Sequence, residues 1–148
     1  MNEITLNDAE QLKSFIENHN SFFIAGHKEP DGDCISSCLG MAAILDYFNK
    51  PYQLLSAGPF KRNEVARWQD KFSNTMIFQD NSERAETGLI ICDCSELSRL
   101  GEIDGDVKGF DTFVVDHHKT GALEDNMKGY INSDAPACAF LIQNFYEK

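Results

Sequence analysis

Three apolar runs in this chain each lead into side chains that bind metal ions or move protons. Phe113-Val114-Val115 leads into Asp116-His117-His118, and Leu89-Ile90-Ile91-Cys92 leads into Asp93. Phe22-Phe23-Ile24-Ala25 leads, past Gly26, into a loop carrying His27, Asp31 and Asp33. A buried strand needs Phe, Val and Ile; it has no structural need for Asp-His-His at its tip. One such residue after a strand would mean little, since a lone Asp often caps the next helix. Three coincident ends are different. Gathering the carboxylates of Asp31, Asp33, Asp93 and Asp116 with three imidazoles costs several kcal/mol in repulsion and desolvation unless cations neutralise them.

Mixed imidazole and carboxylate donors suit Mn²⁺, Fe²⁺, Co²⁺ or Zn²⁺, and the high oxygen count favours Mn²⁺. The number of donors suits two ions better than one. Two ions about 3.5–4 Å apart can share a carboxylate, generate hydroxide at neutral pH and clamp an in-line phosphoryl displacement.

The elements that must position these residues are legible as a pattern. Helical spacing of Leu12, Phe15 and Ile16 predicts a first helix to about residue 18, with Asn7 as its cap and Glu10 reaching back. A strand is predicted over 21–26, then a loop forced by Pro30 and Gly32, then a helix over 33–49 with Ile35, Leu39, Ala42, Ala43 and Leu45 buried. Further strands are predicted at 52–56, 75–78, 89–92, 112–115 and 130–131. Helices are predicted at 63–71, briefly around Leu97 and Leu100, and over 136–147 behind Pro136. Strands alternating with helices predict an α/β fold: a mostly parallel sheet of about five strands flanked by helices on both faces. All strand ends that precede helices then lie along one edge, where such sheets bind ligands.

The 148 residues fit one domain with a sizeable core. A net charge of −11 argues against a protein that grips long duplex DNA, because phosphate contact needs a basic face. It is compatible with a phosphate substrate when metal ions supply the positive charge. The sequence shows no membrane-length apolar run and no signal-peptide pattern at Met1, which places the protein in the cytoplasm. Cys34, Cys38, Cys92, Cys94 and Cys138 are an odd set, read as reduced thiols packed near the strand ends. Lys61, Arg62 and Arg67 read as a solvated helix start, and Trp68 as sheet cover.

At these residues the chain resembles the DHH phosphoesterase family. His27-x-x-x-Asp31-x-Asp33, Asp93 after an apolar strand, and Asp116-His117-His118 are similar to its motifs I, II and III. The run from His27 to Ser36, with Asp93-x-x-x-x-x-Arg99-Leu100-Gly101, resembles the branch of oligoribonucleases (nanoRNases) and 3′-phosphoadenosine 5′-phosphate phosphatases. The resemblance implies a Rossmann-like sheet of order 2-1-3-4-5. It implies two divalent ions, Mn²⁺ foremost and Mg²⁺, Co²⁺ or Fe²⁺ as alternatives, one on His27 and Asp31, the other on Asp33 and His117, bridged by Asp93. Asp116 would orient the imidazoles, and His118 would meet the substrate phosphate or leaving oxygen. The implied substrate is a short oligonucleotide or nucleotide phosphate.

The family's fourth motif and its C-terminal substrate-binding domain have no match before Lys148. Residues 1–148 are therefore expected to be a catalytic-type domain that is weak or inactive alone and completed by a further domain or a second copy. Two other readings stay open: a non-catalytic metal- or nucleotide-binding domain that needs a partner, and a manganese-type inorganic pyrophosphatase.

Overall fold

The structure is a computed structural model that describes residues 6–74, 86–101, 103, 110–118, 127–131, 138 and 142. The order is α1 (Leu6–Glu17), β1 (Ser21–Ala25), α2 (Gly32–Tyr47), β2 (Tyr52–Leu55), α3 (Asn63–Ala66), a 3₁₀ turn (Gln69–Lys71), β3 (Thr87–Cys92), a 3₁₀ turn (Leu97–Leu100), β4 (Asp111–Asp116) and β5 (Met127–Ile131). The five strands form one sheet of order β2-β1-β3-β4-β5, and every pairing is parallel.

That order explains the continuous apolar strands. On one face Phe22, Ile24, Ile90, Cys92, Phe113 and Val115 pack beneath Leu12, Phe15 and Ile16 of α1 and Cys38, Met41 and Leu45 of α2. On the other, Phe23, Ala25, Leu89, Ile91 and Val114 are covered among the described residues by Cys94, Leu97, Leu100 and Phe110. All six residues of β3 are buried, as expected of a central parallel strand covered on both faces.

Some boundaries move. Helix α1 already includes Asn7, the predicted cap, a two-residue shift of the kind that helix ends allow. The helix predicted over 63–71 is one α turn followed by a 3₁₀ turn. Only Val65 is buried there, too little apolar face to hold a longer helix. Trp68 is half-buried, with the Arg67 guanidinium 4.6 Å above its ring. Strand β5 runs over five residues where the sequence pattern predicts two. The strand predicted at 75–78 lies outside the described residues, as does the helix over 136–147 except for Cys138 and Ile142, which are helical.

The topology also fixes where a crevice opens. The chain leaves β1 toward β2 on one side, then crosses back to lay β3 on the other side of β1. In open parallel sheets, ligands bind outside the carboxyl ends of the strands at such a reversal.

Candidate metal centre

The reversal between β1 and β3 is where His27 meets Asp93. His27 follows β1, and Asp93 follows Cys92 at the end of β3 in the left-handed region, φ 68°. The Asp93 N–H donates to Val115 O at 2.9 Å, which ties this turn to β4. Left-handed backbone is uncommon outside glycine, and Asp tolerates it better than most residues. The loop after His27 is pinned from outside: Lys28 N donates to Arg99 O (2.8 Å) and Glu29 N to Gly58 O (2.9 Å). Asp31 closes it by capping α2, with Oδ1 accepting from Cys34 N at 2.9 Å.

The resulting distances are short. Asp93 Oδ2 lies 3.2 Å from His27 Nε2, and Asp93 Oδ1 lies 3.3 Å from His117 Nε2. His117 Nε2 is also 3.2 Å from Asp33 Oδ2, and His27 Nε2 is 3.9 Å from Asp31 Oδ1. One carboxylate thus faces two imidazoles, each of which faces a second carboxylate. Asp116 instead braces the turn behind them. Its Oδ1 accepts from His117 N (2.8 Å), His118 N (3.2 Å) and His118 Nδ1 (2.6 Å).

Electrostatically the cluster is unbalanced. Asp93 is 1 % exposed, and its Oδ1 accepts no well-formed hydrogen bond among the described residues, although His117 Nε2 is near. Burial pushes the Asp93 carboxyl upward, His27 pulls it back, and the Asp33 charge raises it further. Asp93, followed by the Cys34 thiol, raises His27 to about 11 against the opposing effect of burial. The His27 Nδ1–H donates to Lys28 O at 2.8 Å, so a neutral ring presents its lone pair at Nε2, toward Asp93 and Asp31. A second-nitrogen bond to a backbone carbonyl is the usual support of a metal-binding histidine. The buried Asp93 oxygen without a partner among the described residues, and an imidazole nitrogen aimed at two carboxylates, fit a divalent cation that would take the place of the His27 proton.

The structure brings His27, Asp31, Asp33, Asp93 and His117 onto one edge. It sets Asp116 behind His117 and His118, and leaves His118 37 % exposed at the rim with its Nδ1 4.0 Å from Asp93 Oδ1. Suitable donor atoms gather within 4.8 Å of one another in two groups: Asp93 with His117 and His118, and His27 with Cys34 and Asp93. Sequence alone reads Cys34 as core. The signal available is its position immediately after Asp33, together with Gly26 opposite: a Cβ at Gly26 would fall 2.2 Å from Cys34 Sγ. Lys61, Arg62 and Arg67 are exposed, and Lys61 pairs with Glu29 at 3.0 Å.

An all-parallel α/β sheet with imidazoles and carboxylates along its carboxyl edge defines a class of ligand-binding domain with the makings of a metal site. Within that class the chain belongs to the DHH family: the model of the DHH family N-terminal domain matches residues 21–148. It is therefore a domain of the DHH phosphoesterase superfamily. It is 25 % identical over 147 residues to the cyclic-di-AMP phosphodiesterase GdpP of Bacillus subtilis, covering 92 % of this chain and 22 % of that protein. It is 28 % identical over 131 residues to a probable manganese-dependent inorganic pyrophosphatase of Staphylococcus saprophyticus, covering 85 % of this chain and 40 % of that one. The chain thus spans well under half the length of these curated relatives. An exopolyphosphatase-related protein from Bacteroides fragilis shares the fold, with a TM-score of 0.74 at 18 % identity over 96 % of this chain and 43 % of that one. Among the described residues no helix is long and apolar enough to cross a membrane.

Proposed function

We propose that this domain hydrolyses phosphoester bonds in short oligonucleotides or nucleotide phosphates, in the cytoplasm, using two divalent ions of which Mn²⁺ is the first candidate. The observation that carries this reading is Asp93: a buried carboxylate between His27 and His117, with one oxygen lacking a hydrogen-bond partner among the described residues. His27 and Asp31 would hold one ion, Asp33 and His117 the other, and Asp93 would be shared. The ions would supply Lewis acidity toward the phosphoryl oxygens and a more acidic water at neutral pH. They would also let a chain of net charge −11 receive a polyanion.

The protein groups have separable roles. Asp116 orients the loop, and the His118 ring with it, through its three accepted bonds. With Nδ1 committed to Asp116, a proton on Nε2 is the one His118 can give to the leaving oxygen. Substrate contacts beyond this edge would come from a further domain or a second copy, so the domain alone would turn over slowly.

The test is a substrate panel with Mn²⁺: short oligoribonucleotides, 3′-phosphoadenosine 5′-phosphate, a cyclic dinucleotide and pyrophosphate. We expect release of nucleotide or phosphate from the first two, abolished by EDTA and in Asp93→Ala. Turnover of pyrophosphate alone would replace this reading by a phosphoanhydrase one, which the 28 % identity to a probable pyrophosphatase favours. Metal binding without hydrolysis of any substrate, even with a longer natural chain, would leave a binding domain.

A further inference from the structure

The thiol of Cys34 sits in the metal cluster, not merely beneath it. Its Sγ lies with a His27 ring nitrogen and an Asp93 oxygen inside a 4.8 Å group. Asp31 fixes the backbone at this point by accepting the Cys34 N–H, and Gly26, lacking a Cβ, leaves the sulfur its space. The other four cysteines are buried too, but none joins His27 and Asp93 in a donor group among the described residues. Asp93 belongs to both donor groups: its Oδ2 faces His27 at 3.2 Å, while its Oδ1, buried without a hydrogen-bond partner among the described residues, faces His117 at 3.3 Å.

We propose that Cys34 is a thiolate ligand of the ion held by His27, making that position a mixed N, O, S site that favours Zn²⁺, Co²⁺ or Fe²⁺ over Mn²⁺. The inference rests on the metal reading given above and changes its chemistry at one of the two positions. Thiolates prefer softer, later divalent ions, whereas carboxylate and imidazole alone leave Mn²⁺ competitive. Cys38, and after it burial, pushes the Cys34 thiol's pKa up, so the metal-free thiol keeps its proton. Binding would release that proton to solvent and form the metal–sulfur bond, since a coordinating thiol is deprotonated outright. The two positions would then differ: sulfur-bearing at His27, and oxygen- and nitrogen-only at His117.

Cobalt titration of the protein reads both parts of the inference separately. Visible d–d absorption reports that the cluster binds an ion, and a near-ultraviolet sulfur-to-cobalt charge-transfer band reports a thiolate ligand. We expect both in the wild type. The charge-transfer band should vanish in Cys34→Ser while the visible bands remain, and it should persist in Cys38→Ser, Cys92→Ser, Cys94→Ser and Cys138→Ser. The four control variants assign the sulfur by elimination should Cys34→Ser fold poorly. In competition, Cys34→Ser should shift the Zn²⁺-to-Mn²⁺ affinity ratio toward Mn²⁺ by on the order of tenfold, the scale on which metal-site mutations act. Visible bands without a charge-transfer band in the wild type would overturn the role of Cys34 and leave the metal reading standing. Absence of any cobalt spectrum would overturn both.

Discussion

The two edges of this sheet use the same side-chain types to opposite ends. At the amino edge His19 is buried against Phe15 and Phe22, with Nδ1 2.7 Å from Phe15 O and Nε2 2.9 Å from Asp111 Oδ2. Beside it the Ser21 and Thr87 hydroxyls meet at 2.8 Å. Each polar group there closes on another, and Asp111 stands mostly in water, 75 % exposed. At the carboxyl edge acceptors outnumber donors: Asp31, Asp33 and Asp93 converge on His27 and His117, and one buried oxygen is left over. A His–Asp pair is therefore no mark of a site. The mark is a buried carboxylate oxygen that folding leaves without a partner among the described residues.

That contrast can be broken by experiment, and metal loading has the largest expected effect. At a concentration of Mn²⁺ one hundred times its Kd, stability should rise by about 2.7 kcal/mol. Denaturation curves with Mn²⁺ and with EDTA measure it; Asp93→Ala should erase the difference, while His19→Ala should keep it. An equal metal shift in Asp93→Ala would end the distinction between the edges.

His19→Ala comes next. It removes two hydrogen bonds and the ring's contacts with Phe15 and Phe22, and should cost about 2 kcal/mol without changing metal affinity. Calorimetric melting together with metal titration would show both.

A third test uses pH on the metal-free protein. The His27 pKa is raised from 6.5 to about 11, so its contribution to stability is complete below about pH 6.5 and fades as pH rises toward 11. The stability gap between wild type and His27→Gln should therefore narrow from pH 6 to pH 10 on this protonation-linkage argument. Metal affinity should run the other way, increasing with pH as the competing proton leaves. The smallest effect is expected for Asp111→Asn: below about 1 kcal/mol, because so exposed a carboxylate is screened by water.

The fold was legible wherever burial on both faces wrote itself as an apolar run, as at Phe22 to Ala25 and Leu89 to Cys92. It was less legible at β5, where Gly129 reads as a breaker. In the structure it has φ 156°, and a Cβ there would fall 2.2 Å from Val114 O, so glycine is what lets this strand lie against β4. The seven candidate residues of the carboxyl edge were visible because polar residues at strand tips have no packing reason to be there. Cys34 was hidden for the opposite reason: a buried cysteine satisfies a core as well as a site, and only its neighbours tell them apart. The His19–Asp111 pair was hidden by its separation along the chain, which only the closed sheet brings together.

Asp116 bears on time as well as on geometry. Because one of its oxygens already gathers three N–H groups, the turn carrying His117 and His118 is organised by the protein's own bonds. An arriving ion would find that wall standing and would have little chain to rearrange. Loading would then be governed by the ion's loss of water, and the fastest-exchanging cations present would reach this edge first, whichever ion it holds most tightly.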